Sequence, residues 1–336
     1  MSESAKTILR AGLGFSLAAF FISKVISSSG VNIYAEIMKG TVSLILIAFS
    51  LYGVCALIAT FRWKLLLGVQ GVYISFLRLY QLSMIGTFFN LVIPGAVSGD
   101  VVKMFYIRRH ATDDRSAEAM LTIFLDRVLG LVGLFIVAIV SIMLSFEYLL
   151  IAAKQIQLCA ITIVICSMCL LSLMLGVTFR AKLLRIRAIN QLVQVVSGKL
   201  PKKFIDIVNR LSSAIDTYHG KRSIILKSVI LSMMIHIIIG FVLVIIGKCF
   251  QENFVEWYNY VLATQTANAV GAIPITPSGI GSRDFVLSLF LRDAGAEKEK
   301  AAVIPMAFTI IIAAWSLIGG FFYIFHKRHV ANANKA

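Results

Sequence analysis

Charged residues are scarce in this chain: they make up 14% of its 336 residues, whereas 59% are hydrophobic. A soluble domain carries about 25% charged residues, so the composition excludes an ordinary soluble fold. The mean hydropathy of +0.89 agrees with this exclusion. The composition therefore predicts an all-α membrane protein that crosses the bilayer several times.

Cysteine and histidine are also few, with five of each, and they do not cluster in the sequence. Cys166 and Cys169 have the spacing of a metal-binding or redox pair, but they lie in an apolar run without a neighbouring histidine or acid. The sequence contains no P-loop, hydrolase serine motif, zinc-site spacing or kinase motif set. It therefore predicts no catalytic residue, no metal and no cofactor.

Acidic residues are half as numerous as basic ones, 16 against 32, which gives a net charge of +16. In a membrane protein, excess lysine and arginine collects in cytoplasmic loops and contacts anionic lipid. Because no basic soluble domain is present, we do not expect nucleic acid as a partner. The expected partners are membrane lipids, and the protein partners considered are a second copy of the chain and a lipid or glycan synthase.

Apolar runs of about 20 residues, the length that spans a bilayer, occur eight times. The first run has no small-residue cleavage pattern, so we expect a spanning helix rather than a signal peptide. The eight runs cover residues 8–28, 40–61, 79–99, 119–146, 155–179, 228–247, 257–282 and 301–325.

Basic clusters indicate which connections are cytoplasmic. The linker 180–227 is strongly basic, and its residues 204–218 have the periodicity of an amphipathic helix on the inner leaflet. We expect both termini to be cytoplasmic and the protein to lie in the inner, cytoplasmic membrane of the cell. The other basic clusters are Arg62, Lys64 and Arg78; Lys103, Arg108, Arg109 and Arg115; and Lys327 and Arg328.

Two of the apolar segments cannot be continuous helices. Residues 88–100 and 272–284 contain proline and clustered glycine, which interrupt a helix. Broken backbone at membrane depth is tolerated only where it is buried in protein or lines a water-filled cavity. A pair of such segments in corresponding halves of a chain points to a transport site.

The charges flanking these segments predict their topology. Segment 79–100 has basic flanks on both sides, so we expect it to enter and leave the membrane from the cytoplasm. Segment 257–298 is expected to be re-entrant from the outside. The two halves of the chain, residues 1–150 and 151–336, would then form an inverted repeat. The alternative left open is eight plain spanning helices.

Polar residues in or near the broken segments, and within the apolar runs, are the candidates for substrate binding. A short helix after Gly99 would point free N–H groups and a positive dipole end into a cavity. The planar guanidinium of Arg283 suits a phosphate group. The alternatives are that Asp100 caps a helix and that Arg283 pairs with an acid. The candidate substrate-binding residues are Asn90, Pro94, Gly95, Gly99, Asp100, Lys103, Asp126, Arg127, Gln265, Asn268, Pro274, Pro277, Gly279, Gly281, Arg283 and Asp284.

The order of these motifs resembles a known family. Residues 61–67, 88–103, 126–127 and 273–284 are arranged as in the lysylphosphatidylglycerol synthase transmembrane-region family, also called flippase-like or UPF0104 membrane proteins. The resemblance covers nearly the whole chain. It implies a lipid-handling domain with a central cavity closed by two re-entrant segments. In the best understood members, such a domain moves aminoacylated phospholipid from the inner to the outer leaflet.

The sequence also departs from the family pattern. Asp284 stands where the pattern carries a glutamate, and the shorter side chain reaches less far. No soluble aminoacyl-transfer domain follows the membrane part, so we expect no synthesis of aminoacyl lipid. We predict a flippase-like transporter that moves a phospholipid, aminoacylated or not, or a lipid-linked glycan precursor between leaflets. The open alternatives are a membrane enzyme and a scaffold in lipid or glycan biosynthesis.

Overall fold

The protein is known from a computed structural model, and within its described residues all regular secondary structure is helical. The predicted first span, 8–28, and residues 180–217 of the basic linker lie outside the described residues, together with nearly all of the predicted amphipathic helix. The structure describes residues 40–93, 98–108, 116–178, 218–273 and 276–333.

The described residues form ten α-helices. They are α1 (Val42–Val69), α2 (Phe76–Val92), α3 (Ser98–Arg108), α4 (Ser116–Leu144), α5 (Phe146–Ile151), α6 (Lys154–Thr178), α7 (Arg222–Cys249), α8 (Trp257–Gly271), α9 (Ser282–Asp293) and α10 (Lys298–Ala333). Two short 3₁₀ turns, His219–Lys221 and Pro277–Gly279, precede α7 and α9.

Five helices in the described ranges are long and apolar enough to cross a membrane. They contain the spans Val42–Val69, Glu118–Leu144, Lys154–Ser172, Arg222–Cys249 and Lys298–Ile324. Large apolar side chains on these helices, such as Leu46, Ile165 and Phe321, are exposed, which is typical of helices surrounded by lipid rather than water. The prediction of an all-α, multi-pass membrane protein is confirmed.

The two segments that cannot be continuous helices are interrupted where their prolines and glycines lie. Helix α2 ends at Val92, the next residue is extended (φ −103°, ψ 119°), and α3 begins at Ser98. Helix α8 ends at Gly271, and α9 begins after Gly281, whose φ of 81° lies in the left-handed region. Each segment is therefore made of two separate helices and is not one continuous helix.

Glycine lets the two arms of each pair approach each other backbone to backbone. A Cβ added to Gly99 on α3 would overlap the carbonyl oxygen of Gly86 on α2. In the second pair, a Cβ on Gly279 would lie 2.8 Å from the Cα of Gly271. Only a residue without a side chain fits at such a crossing, which explains the glycine clusters physically.

The two predicted halves of the chain are interleaved in space. Helix α7 packs along both α1 and α4, and α10 packs along α2. The glycines of α10 permit this second contact, since a Cβ on Gly319 would overlap the carbonyl oxygen of Met84. Within each half, the short helix after the break packs on the next long helix, α3 on α4 and α9 on α10.

One sequence interpretation is wrong in detail. Arg62, Lys64 and Arg78 were expected to mark a cytoplasmic loop, but α1 continues to Val69 and α2 begins at Phe76. Arg62 and Lys64 therefore belong to the last turns of α1. The Arg62 side chain lies inside the helix bundle, where a carboxylate from another helix neutralises it.

Candidate binding cavity

A cavity of about 420 Å³ lies where the two broken segments meet the long helices. This volume falls within the range of small-ligand pockets, about 300–1,000 Å³. The lining is largely apolar, with a few polar groups at separate positions. The lining residues are Tyr52, Cys55, Ala56 and Ala59 from α1; Met84, Thr87 and Asn90 from α2; Arg127 from α4; Ile235 and Ile239 from α7; Asn268, Gly271, Ala272, Ser278 and Arg283 from the second broken segment; and Ile312, Trp315 and Ser316 from α10.

Arg283 is the second residue of α9, and its side chain is buried against the cavity, with 6% of the residue exposed. One terminal nitrogen, Nη2, donates a hydrogen bond of 2.9 Å to Thr309 Oγ1, and the guanidinium carbon lies 5.1 Å from the ring centre of Phe308. The Nε atom is buried without a hydrogen-bond partner. Within the described ranges, no carboxylate forms an ion pair with this guanidinium.

The neighbouring carboxylate of Asp284 is occupied by its own helix and by α10. Its Oδ2 accepts a hydrogen bond of 2.9 Å from the backbone N–H of Gly281, which caps the start of α9. Its Oδ1 accepts a 2.6 Å bond from Thr309 Oγ1. Thr309 thus bridges Arg283 and Asp284, so that the two charged side chains interact through a hydroxyl instead of pairing directly.

The break in the first segment is stabilised by Asn90. Its side-chain oxygen accepts a hydrogen bond of 2.7 Å from the backbone N–H of Gly99 and one of 3.2 Å from the hydroxyl of Ser98. Asn90 therefore satisfies free donors at the beginning of α3 while also lining the cavity. The candidates Pro94 and Gly95 lie outside the described residues.

Asp100 lies between two cations. Arg127 on α4 donates to Asp100 Oδ2 through Nε, and Lys103 Nζ lies 3.8 Å from Asp100 Oδ1. The structure thus pairs Asp100 on α3 with Arg127 on α4. Arg127 lines the cavity, whereas Lys103 extends over the ring of Trp63, at 5.5 Å from its centre.

Asp126 is paired with a residue that the sequence reasoning placed in a loop. Arg62 donates to both carboxylate oxygens of Asp126, at 2.7 and 2.9 Å, and to the hydroxyl of Ser232 at 2.6 Å. Neither Asp126 nor Arg62 is among the cavity-lining residues. This buried group connects α1, α4 and α7.

The remaining candidates divide between the cavity and the helix contacts. Asn268 lines the cavity, while Gln265 is fully buried and donates a 3.1 Å hydrogen bond to the backbone oxygen of His236. Pro277, Gly279 and Gly281 form the turn before α9 and shape its entry. Pro274 lies outside the described residues.

Several residues that line the cavity or bond to its lining were not found from the sequence. Thr309 and Ser316 lie seven residues apart on α10, so they share one face of the helix, and this spacing was the available signal. Trp315 and Tyr52 read as ordinary apolar residues of a span. In the part of the chain that the structure describes, no group of three or more histidine, cysteine or acidic side chains is positioned to hold a metal ion.

The chain is similar to known membrane proteins over nearly its whole length. The family model described as lysylphosphatidylglycerol synthase TM region matches residues 8–323. A UPF0104 membrane protein of Pyrococcus horikoshii is 24% identical over 315 residues, which cover 88% of this chain and 91% of the relative. These matches support a multi-pass membrane protein of lipid metabolism. The chain belongs to the lysylphosphatidylglycerol synthase transmembrane-region family.

Proposed function

We propose that the protein is a flippase-like lipid transporter that moves a phosphate-bearing lipid between the leaflets through the central cavity. The observation that carries this proposal is Arg283: a buried guanidinium that lines the cavity, has no carboxylate partner among the described side chains, and has an unpartnered Nε. Its neighbourhood is complementary to an anion.

The electrostatic argument starts from the cost of burying a charge. Moving an ion from water into a protein interior costs roughly several kcal/mol of free energy unless a counter-charge compensates for it. The hydroxyl of Thr309 is a weak compensation for a guanidinium. Because Arg283 lies in the first turn of α9, at the positive end of the helix dipole, both the guanidinium and the dipole would stabilise a phosphate beside it.

The lining favours an amphiphile over a free anion. Ile235, Ile239 and Ile312 line the same cavity as the polar groups, and the outer surfaces of the bundle are apolar. A headgroup can occupy the polar part of such a cavity while its tails remain between the helices and the bilayer. Family membership adds to this argument, since the matched family is named for a lipid synthase.

We propose an architecture of two inverted halves, residues 1–150 and 151–336. Their re-entrant segments would be residues 79–100 and 257–298. The parallel construction of the two broken segments supports it. In each, two glycines cross closely, and the third residue of the following short helix is an aspartate, Asp100 or Asp284. Each aspartate accepts a hydrogen bond from the next long helix, from Arg127 or Thr309.

The candidate residues then take different parts in binding. We assign headgroup contact to Arg283, Arg127, Asn90 and Asn268, which line the cavity. The prolines and glycines shape the two turns, and the remaining polar candidates hold the helices in position. In the proposed topology the basic linker and both termini are cytoplasmic, and the protein lies in the inner membrane of the cell.

Lipid translocation in proteoliposomes tests this proposal. Lipids labelled on an acyl chain and carrying different headgroups are followed by quenching of the label in the outer leaflet. We expect the wild-type protein to accelerate translocation of at least one phosphate-bearing lipid, and Arg283→Gln to reduce the rate to that of protein-free liposomes.

The matched control is Arg292→Gln. Arg292 lies on the same helix, in its last turn and exposed, so its loss changes the net charge equally without altering the cavity. This variant should transport as the wild type does. Equal rates for wild-type protein, Arg283→Gln and empty liposomes would refute the proposed function, provided that size-exclusion profiles show folded protein.

A further inference from the structure

The charges around the cavity are asymmetric. Two arginines, Arg127 and Arg283, belong to its lining, whereas no aspartate or glutamate does among the residues that the structure describes. Residues 94–97 and 274–275 lie outside the described ranges, and their sequences, Pro-Gly-Ala-Val and Pro-Ile, contain no ionisable side chain. Among the described lining residues, a ligand would therefore meet cationic groups and no carboxylate.

Three carboxylates either pair with a lining arginine or neighbour one in the sequence, and each of them already has partners within the protein. Asp126 accepts hydrogen bonds from Nε and Nη2 of Arg62, and Asp100 lies between Arg127 and Lys103. Asp284 accepts bonds from a backbone N–H and from Thr309. None of them has an unpartnered buried oxygen, whereas the Nε of Arg283 is unpartnered.

The sum of the formal charges in this group of side chains is also positive. Three carboxylates, at positions 100, 126 and 284, are set against four cations, at positions 62, 103, 127 and 283. One positive charge is left over, and geometry places it at Arg283, the only one of the four cations without an ion pair in the described part of the chain. A single negative charge on the ligand would neutralise the group.

We propose that the substrate is an anionic lipid whose headgroup carries a phosphate and no amine, so that aminoacylated phospholipids are excluded. This inference rests on the proposed function, because it names the headgroup that the same cavity takes. A lysyl headgroup adds two ammonium groups to the phosphate. Burying them beside a guanidinium would place like charges next to each other, which costs roughly several kcal/mol of binding free energy.

Aromatic rings are the other common way to hold an ammonium group. Tyr52 and Trp315 line the cavity, but their rings are already packed against other rings. Trp315 is stacked on Phe49 with centres 5.0 Å apart, and Tyr52 is edge-on to Phe308 at 6.1 Å. The described lining therefore offers no free ring cage that would replace a carboxylate.

Two classes of lipid share the required chemistry, namely anionic glycerophospholipids and polyprenyl phosphates. Native mass spectrometry of the purified, full-length protein in detergent measures their binding directly. The probes are phosphatidylglycerol, a polyprenyl monophosphate, phosphatidylethanolamine and lysyl-phosphatidylglycerol, with inorganic phosphate as competitor. We expect phosphatidylglycerol or the polyprenyl phosphate to bind at least about tenfold more tightly than lysyl-phosphatidylglycerol, and the tighter of the two names the source.

Substitutions test whether charge decides this ranking. Arg283→Gln should weaken binding of the anionic lipid by at least about 30-fold, the change expected for removing one partner of a buried charge pair, whereas Arg292→Gln should leave it unchanged. Asn268→Asp is nearly isosteric and adds a carboxylate to the lining. It should strengthen binding of lysyl-phosphatidylglycerol and weaken that of phosphatidylglycerol.

The outcomes separate the two proposals. Equal or tighter binding of lysyl-phosphatidylglycerol by the wild-type protein would overturn this inference, even if that lipid is transported and the proposed function stands. Selective binding of the anionic lipid without any translocation would refute the transporter and leave the headgroup assignment intact. An unchanged ranking in Asn268→Asp would also contradict the electrostatic argument.

Discussion

Removing the charge of Asp126 should destabilise the protein strongly. Arg62 and Asp126 have side chains that are 8% and 19% exposed, and two hydrogen bonds of 2.7 and 2.9 Å join them. The variant Asp126→Asn keeps the shape of the side chain but leaves the guanidinium buried without a counter-charge. Breaking a buried pair in this way costs about 3–5 kcal/mol of unfolding free energy.

The double variant separates the pair from its surroundings. When Arg62→Met is combined with Asp126→Asn, no unpaired charge remains, so the double variant should be less destabilised than the sum of the single variants. Coupling energies for residues in direct contact are about 0.5–3 kcal/mol, and we expect about 1.5 kcal/mol or more for this bidentate pair. Ser232→Ala serves as a milder reference, since it removes only the third hydrogen bond of Arg62.

Unfolding in detergent micelles, by titration with sodium dodecyl sulfate or by heating, measures all four members of this cycle. Additive effects, with a coupling below about 0.5 kcal/mol, would refute the structural role that we assign to the pair. A large coupling together with normal lipid binding by surviving protein would remove Asp126 from the candidate binding residues.

Two further predictions concern the broken segments and α10. Gly99→Ala should lower the free energy of unfolding by about 1–3 kcal/mol, because the added Cβ would overlap the backbone of Gly86. The control Gly68→Ala, whose Cβ would meet nothing within 4 Å, should leave the stability unchanged. Equal melting temperatures for the two variants would contradict the close crossing. Thr309→Val should lower the free energy of unfolding by about 1–3 kcal/mol, because it removes the hydroxyl that bridges Arg283 and Asp284. The control Thr162→Val, at an exposed position on α6, should be nearly neutral. A neutral Thr309→Val would exclude the bridge.

The sequence predicted the broken segments well because their cause is local. Proline and clustered glycine interrupt a helix wherever they occur, so the ends of α2 and α8 could be placed within a few residues. The proposed role of Arg283 also rests on local information, since an arginine directly after an interrupted membrane segment is costly to insert.

The role of Arg62 could not be predicted in this way. Its partners lie 64 and 170 positions later in the chain, on α4 and α7, and only the packing of three helices brings them together. A basic residue near the end of an apolar run has the same local pattern whether it enters a loop or the bundle. The bridging role of Thr309 is hidden for the same reason, because a lone threonine in a span is usually satisfied by its own backbone.

Interleaving of the two halves has a consequence for biosynthesis. Helix α1 reaches the membrane long before α7, yet the hydroxyl that completes the Arg62 network is on α7, and the glycines that pack against α2 are on α10. In the bilayer, the Arg62 network therefore stays incomplete until α7 is inserted, and α2 lacks its packing partner until α10 is inserted. We expect assembly to be late and cooperative, and a chain truncated before α10 to be recognised and degraded instead of accumulating as a stable half.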